Sequence, residues 1–195
     1  EAEDHVDLSK RETDPVGLIY DILNFTPGPP NVGLKLWPNS DPGPTAAIEA
    51  VATDSSIKKV ILNRENLLAA KSSGEIMQMR RQKPEAFEGD TKPLLEFDTE
   101  RFLRFARRRA GWFEDYRARS KGDVLELPYV NLMSDGIDAM RPFLKLHPYR
   151  LRQRTEKVGS GDVIGRYHPD FHNEIRGALQ ELGHPEWERE DHRVD

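Results

Sequence analysis

The chain has 195 residues, 36% hydrophobic and 32% charged, with a mean hydropathy of -0.73, a composition that suits one folded domain of generous size rather than a disordered chain. Cysteine is absent, which excludes a disulfide scaffold, a thiolate metal site and thiol catalysis, and no run approaches the roughly 18 apolar residues of a membrane span. The net charge of -5 excludes attraction of nucleic acid by bulk charge, while leaving room for a local basic face.

Residues 1–7 are acidic and lack the basic and apolar blocks of a signal peptide. Together with the missing initiator methionine this sets the expectation of a cytoplasmic protein that lacks part of its natural N-terminal segment. Residues 1–13 read as an arm. Val16, Ile19, Tyr20 and Leu23 then fall at helical spacing, with Asp14 as N-cap and Pro15 as the first helical residue. Residues 26–30 form a proline–glycine break, and 31–37 alternate as a short strand would. A short helix is expected over 45–52 and a second strand over 58–62 (KKVIL), its last three positions apolar as in a buried parallel strand. Helix follows over 65–81. Residues 82–97 carry Pro84, Gly89 and Pro93 without period and read as a long surface loop.

A long helix is predicted over 98–120, with Phe102, Phe105, Ala106, Trp112, Phe113 and Tyr116 on one side and Arg109 in the middle of that stripe. Arg109 is expected to snorkel at the core edge or pair with a buried carboxylate, or else to reach into a site. A third strand spans 123–127, a helix 134–144, a basic mobile loop 147–166, and a last helix 169–182 closed by Gly183. Residues 186–195 read as a solvated acidic tail. Strands alternating with helices predict an α/β domain over 1–195, a small parallel sheet flanked by helices, with ligands at the carboxyl ends of its strands.

The segment leaving the strand at Leu62 is where chemistry is expected. Arg64 stands at the carboxyl end of that strand beside the free N–H groups of a starting helix, and Ser72 follows a little over two turns later on roughly the same side. Two arrangements fit these residues. Arg64 pairs with a local carboxylate while Ser72 faces water, or guanidinium and hydroxyl grip an anionic oxygen cluster between them.

The second arrangement carries a resemblance. Arg64-Glu65-Asn66-Leu67-Leu68-Ala69, with Ser72 eight positions after Arg64, is similar to the 3′-phosphate-binding motif of sulfotransferases that use 3′-phosphoadenosine-5′-phosphosulfate (PAPS), in the bacterial nodulation-factor and carbohydrate branch. VGLKL at 32–36, DVLELPYVNL at 123–132, the helix through Phe143-Leu144 and the segment 153–183 resemble further parts of that superfamily in the same order. The resemblance implies a three-layer fold of the P-loop nucleoside-triphosphatase type. It also implies transfer of a sulfuryl group from PAPS to a hydroxyl of a carbohydrate or other small acceptor, without metal. Arg64, Ser72, Arg154 and Lys157 would bind the donor. Lys35 would be the cation near the leaving group, and a glutamate, Glu3 or Glu1, the base, with His5 the other nearby group that titrates near neutral pH.

The sequence departs from the family in three places. No Gly/Ser-rich donor turn precedes Asn31 and no GxxxxGK[ST] occurs, so the 5′-phosphosulfate loop is expected upstream of Glu1 or absent. Trp37-Pro38 stands where some cytosolic members carry a histidine base. Tyr129-Val130-Asn131-Leu132 lacks the usual acidic residue after tyrosine. The alternative is therefore a non-catalytic sulfotransferase-like binding or interaction protein. An RNA-binding reading of Arg101, Arg104, Arg107, Arg108 and Arg109 is disfavoured, because stacking platforms expose their aromatics alongside the cations. His168 and His172 have the i, i+4 spacing of zinc ligands but no evident third ligand.

Overall fold

The computed structural model of the chain describes residues 6–25, 32–36, 42–88, 93–132, 136–146 and 161–190. Helix α1 (Lys10–Thr13) leads into α2 (Pro15–Leu23). Asp14 caps α2 as its sequence predicts, accepting from the Gly17 amide at 2.9 Å with Pro15 in the first turn. Helix α3 (Pro42–Thr53) is longer than expected, and β1 (Lys59–Asn63) follows. Helix α4 (Leu67–Gln82) is capped by Asn66, whose side chain accepts from the Ala69 amide at 2.8 Å. Helix α5 (Thr99–Arg119) is capped in the same way by Asp98. Then come β2 (Val124–Pro128), α6 (Tyr129–Leu132), α7 (Gly136–Leu144) and α8 (His172–Glu181).

Among the described residues the sheet is β1 and β2 alone, paired in parallel from Lys59↔Val124 to Asn63↔Pro128. The chain is thus a mixed α/β structure with a small parallel sheet, crossed over by α4 and α5. Residues 32–36, expected as a strand, are described without strand pairing. Their alternation is carried by a short stretch that holds Gly33, and alternation by itself does not supply a partner ladder.

The amino ends of the two strands are clamped. Lys59 is 7% exposed, and its ammonium donates to the carbonyls of Asp54, Ile57 (2.9 Å) and Lys121 (2.6 Å). These three acceptors come from both connections entering the sheet. Gly122, at φ +76°, closes the α5–β2 turn, where a Cβ would stand 2.4 Å from the Ser55 carbonyl oxygen, so only glycine fits.

The core lies between α4, α5 and α8 and is built from Leu67, Leu68, Phe102, Leu103, Ile175 and Leu179. The stretch 82–97, expected as surface loop, contributes to it. Leu95 and Phe97 are buried, and the Phe97 ring lies 5.5 Å from Phe102 and 5.6 Å, edge on, from Tyr167. Leu95 bridges to Tyr167 through Leu95 N–H to Arg166 O and His168 N–H to Leu95 O, both 2.9 Å. The acidic residues after α8, expected to be solvated, carry Trp187 into the same core and bury Glu190. No described helix is long and apolar enough to cross a membrane.

Candidate functional site

The register of the sheet decides what meets at its carboxyl end. Asn63 pairs with Pro128, so the next residues, Arg64 and Tyr129, leave the sheet side by side, with the Arg64 guanidinium carbon 4.7 Å from the Tyr129 ring centroid. From there Arg64 reaches two partners. Its Nη1 donates to Ser73 Oγ at 3.1 Å, while Nε and Nη2 grip the Glu190 carboxylate at 2.7 and 2.5 Å. The planar fork matched to two carboxylate oxygens is the geometry that guanidinium prefers.

A second guanidinium converges from the segment before α8. Arg166 Nη1 donates to Ser72 Oγ at 2.9 Å and to Ser73 Oγ at 3.3 Å. Ser72 is fully buried and donates its own proton to the Ala69 carbonyl at 3.2 Å, one turn back along α4. Ser73 accepts from both arginines and keeps its hydroxyl proton to donate. Arg109 adds a third positive charge within electrostatic range. It lies between the Phe105 and Phe113 rings, 5.9 and 5.7 Å from their centroids, with Nε buried and unbonded among the described residues. Rings, not the expected carboxylate, take up this guanidinium. Burial, and after it the charge of Arg64, lowers the pKa of both Arg109 and Arg166 from the ordinary arginine value. Glu190 and Asp162 act on Arg166 in the opposite sense, so Arg64 and Arg166 already have carboxylates beside them.

The residues expected at the site are dispersed. Arg64 and Ser72 lie in one polar cluster, but the hydroxyl that touches Arg64 belongs to Ser73, and Ser72 is bridged to Arg64 through Arg166 and Ser73. Lys35 is exposed on the 32–36 segment. Glu1, Glu3, His5, Arg154 and Lys157 lie outside the described residues. Tyr129, Arg166 and Glu190 were not singled out by the sequence. Tyr129 had a usable signal, since it directly follows the second strand in the position Arg64 holds after the first.

The other polar features resolve into separate pairs. His168 meets the Asp170 carboxylate at 3.2 Å and His172 Nε2 lies 3.2 Å from the Tyr167 carbonyl. Among the described residues no three His, Asp or Glu side chains group as metal ligands do. On α5, Arg107 pairs with Glu181, Arg104 with Glu100, and Arg108 lies over Trp112. Comparison of the chain with protein-family models, with curated proteins and with solved structures found no match.

Proposed function

We propose that the carboxyl end of the β1–β2 sheet binds the 3′-phosphate of an adenosine nucleotide, in a PAPS-dependent sulfotransferase with a three-layer fold. The observation that supports this reading is the convergence of Arg64 and Arg166 on the neighbouring hydroxyls of Ser72 and Ser73 where β1 hands over to α4. Two guanidinium forks and a hydroxyl proton supply donors of the number and charge that phosphate oxygens need. The position is the one where parallel sheets place ligands.

When PAPS is bound it supplies the sulfuryl group and a phosphate leaving group. The protein's part is alignment and charge compensation, because a loose in-line transition state requires little else. In this reading Arg64, Ser73 and Arg166 would hold the donor by its 3′ end and Ser72 would orient Arg166. The resemblance assigns Arg154 and Lys157 to the same phosphate, Lys35 to the leaving group and Glu3 to the base that would take the proton of a carbohydrate or other small-molecule hydroxyl.

The test is calorimetric titration with adenosine 3′,5′-bisphosphate. Loss of a charge-assisted bidentate contact in Arg64→Ala is expected to weaken binding by roughly several-fold to a hundredfold, with the fold checked by circular dichroism. Unchanged affinity would place the nucleotide elsewhere. A second reading, a sulfotransferase-like binding domain without catalysis, is favoured by the carboxylate already seated on Arg64. It expects the bisphosphate to bind and no sulfuryl group to be transferred when PAPS and acceptor hydroxyls are supplied.

A further inference from the structure

Away from the end of the sheet, α4 and α5 face each other across a groove of about 670 Å³. One wall is a face of α4 where Lys71, Gly74 and Glu75 lie a turn apart, and the other is a face of α5 where Arg101, Arg104 and Arg108 do so. Ser72 and Ser73 project from other sides of α4, so the groove is separate from the cluster around Arg64. Facing rows on packed helices are ordinarily apolar. Here the apolar rows, through Leu68 and Phe102, meet in the core, and Phe105 is the one large apolar side chain in the groove.

The charges of this groove are unequal. Lys71 and the three arginines stand against a single lining carboxylate, Glu75. That carboxylate is taken up by Lys71, its i, i+4 partner, whose side chain is 8% exposed and forms the floor. Arg104 meets Glu100 at 3.3 Å, with the two side chains 70% and 85% exposed, and an exposed pair of this kind contributes little and exchanges readily. Arg108 lies over the Trp112 ring at 5.2 Å. Neither its guanidinium nor that of Arg101 has an ion pair or a hydrogen bond among the described residues. The seven positions from Arg101 to Arg108 rise about 10 Å along the helix, farther than one tetrahedral oxyanion reaches.

We infer that the α4–α5 groove is a second binding site, for a small ligand that presents two or more oxyanion groups in a row to Arg101, Arg104 and Arg108, above Lys71. A guanidinium fork matches phosphate and carboxylate oxygens alike, so the shared chemistry is a chain of oxyanions from either source. The site does not depend on the nucleotide reading of Arg64.

The experiment titrates inorganic tripolyphosphate, citrate and inorganic phosphate into the full chain by calorimetry at low ionic strength. Tripolyphosphate or citrate is expected to bind at least about tenfold more tightly than phosphate, because a single phosphate meets fewer forks, and the tighter of the two names the source. Arg101→Gln and Arg108→Gln are each expected to weaken that binding about three- to tenfold, as suits charge-assisted contacts at exposed positions. Gly74→Trp is expected to abolish it. A Cβ at Gly74 would meet nothing within 4 Å, so the indole fills the groove without displacing α4, and Gly74→Ala, like Arg64→Ala, is expected to bind as the wild type does. Equal affinity for phosphate and the longer anions, or full affinity in Gly74→Trp, overturns the site. A loss in Arg64→Ala as large as that in Arg101→Gln places the anion at the end of the sheet and overturns it as well. Binding of single-stranded DNA without binding of tripolyphosphate or citrate overturns it in favour of a nucleic-acid face, and failure of every probe to bind overturns it outright.

Discussion

Helix α4 buries Leu68 and Ser72 equally, both at 0% exposure and one turn apart, yet the two belong to regions with opposite rules. Around Leu68 the side chains of Phe102, Ile175 and Leu179 need only fill space, and many apolar combinations of similar volume would do so. Around Ser72 every group needs a particular partner: Arg166 for the hydroxyl, Ser73 between two guanidiniums, Glu190 for Arg64. The apolar region carries most of the folding free energy, because burying charges offsets much of what their pairing contributes. The polar region supplies the donors of the proposed anion site.

Three substitutions break or sharpen that contrast. Phe102→Ala is expected to cost about 3–5 kcal/mol in urea denaturation, because it opens a void among rigid neighbours. A loss below about 1 kcal/mol would mean that the apolar region is not the one that holds the fold. Asn66→Ala sits on the border. It removes the α4 cap and both bonds to the segment after α8, for an expected loss of about 1–3 kcal/mol, with faster amide exchange at Glu190. An unchanged Glu190 exchange rate would show that Trp187 and the bond to Gly161 seat the segment without Asn66.

Tyr167→Phe has the smallest effect. The buried hydroxyl makes no hydrogen bond of full geometry among the described residues and lies in range of the Ser72 hydroxyl alone among its hydrogen-bonding influences, so its removal is expected to change stability by less than about 1 kcal/mol. Burial, with the charge of Glu75 adding to it, raises the Tyr167 phenol above its ordinary value of 10.0. The folded state therefore holds this proton more tightly than the unfolded chain does. That contribution is fully present below about pH 10 and declines as the unfolded phenol ionises above it. Thermal melts across pH 9–11 should show a shallower decline for Tyr167→Phe than for the wild type, and parallel curves would remove Tyr167 from the alkaline transition.

The same contrast explains what the sequence made legible. Helix α2 follows from Asp14 and Pro15, α5 from its aromatic stripe, α8 from its apolar spacing and Gly183, whose φ of +76° suits the residue that ends it. Apolar periodicity and caps are local, so one stretch of chain contains the whole signal. The partners of the polar cluster are not local. Arg166 lies 94 positions from Ser72 and Glu190 lies 126 from Arg64, and no spacing rule links them. Glu190 also stands in a run of acidic residues whose composition points to solvent, until Trp187 draws the segment inward. Leu95 and Phe97 were misjudged for a related reason: prolines and glycine around them mask two core side chains in a stretch without period.

The Lys59 clasp has a consequence for protein engineering. It holds the opposite end of a five-residue strand, about 16 Å from Arg64 at a typical rise per residue, and ties together the two connections that lead into the paired strands. Were the two strands to slide by a single position, Arg64 and Tyr129 would exit on opposite sides. Redesign of what emerges at the carboxyl end can therefore begin at the lysine and the three carbonyls it binds, leaving Arg64 and Tyr129 as they are.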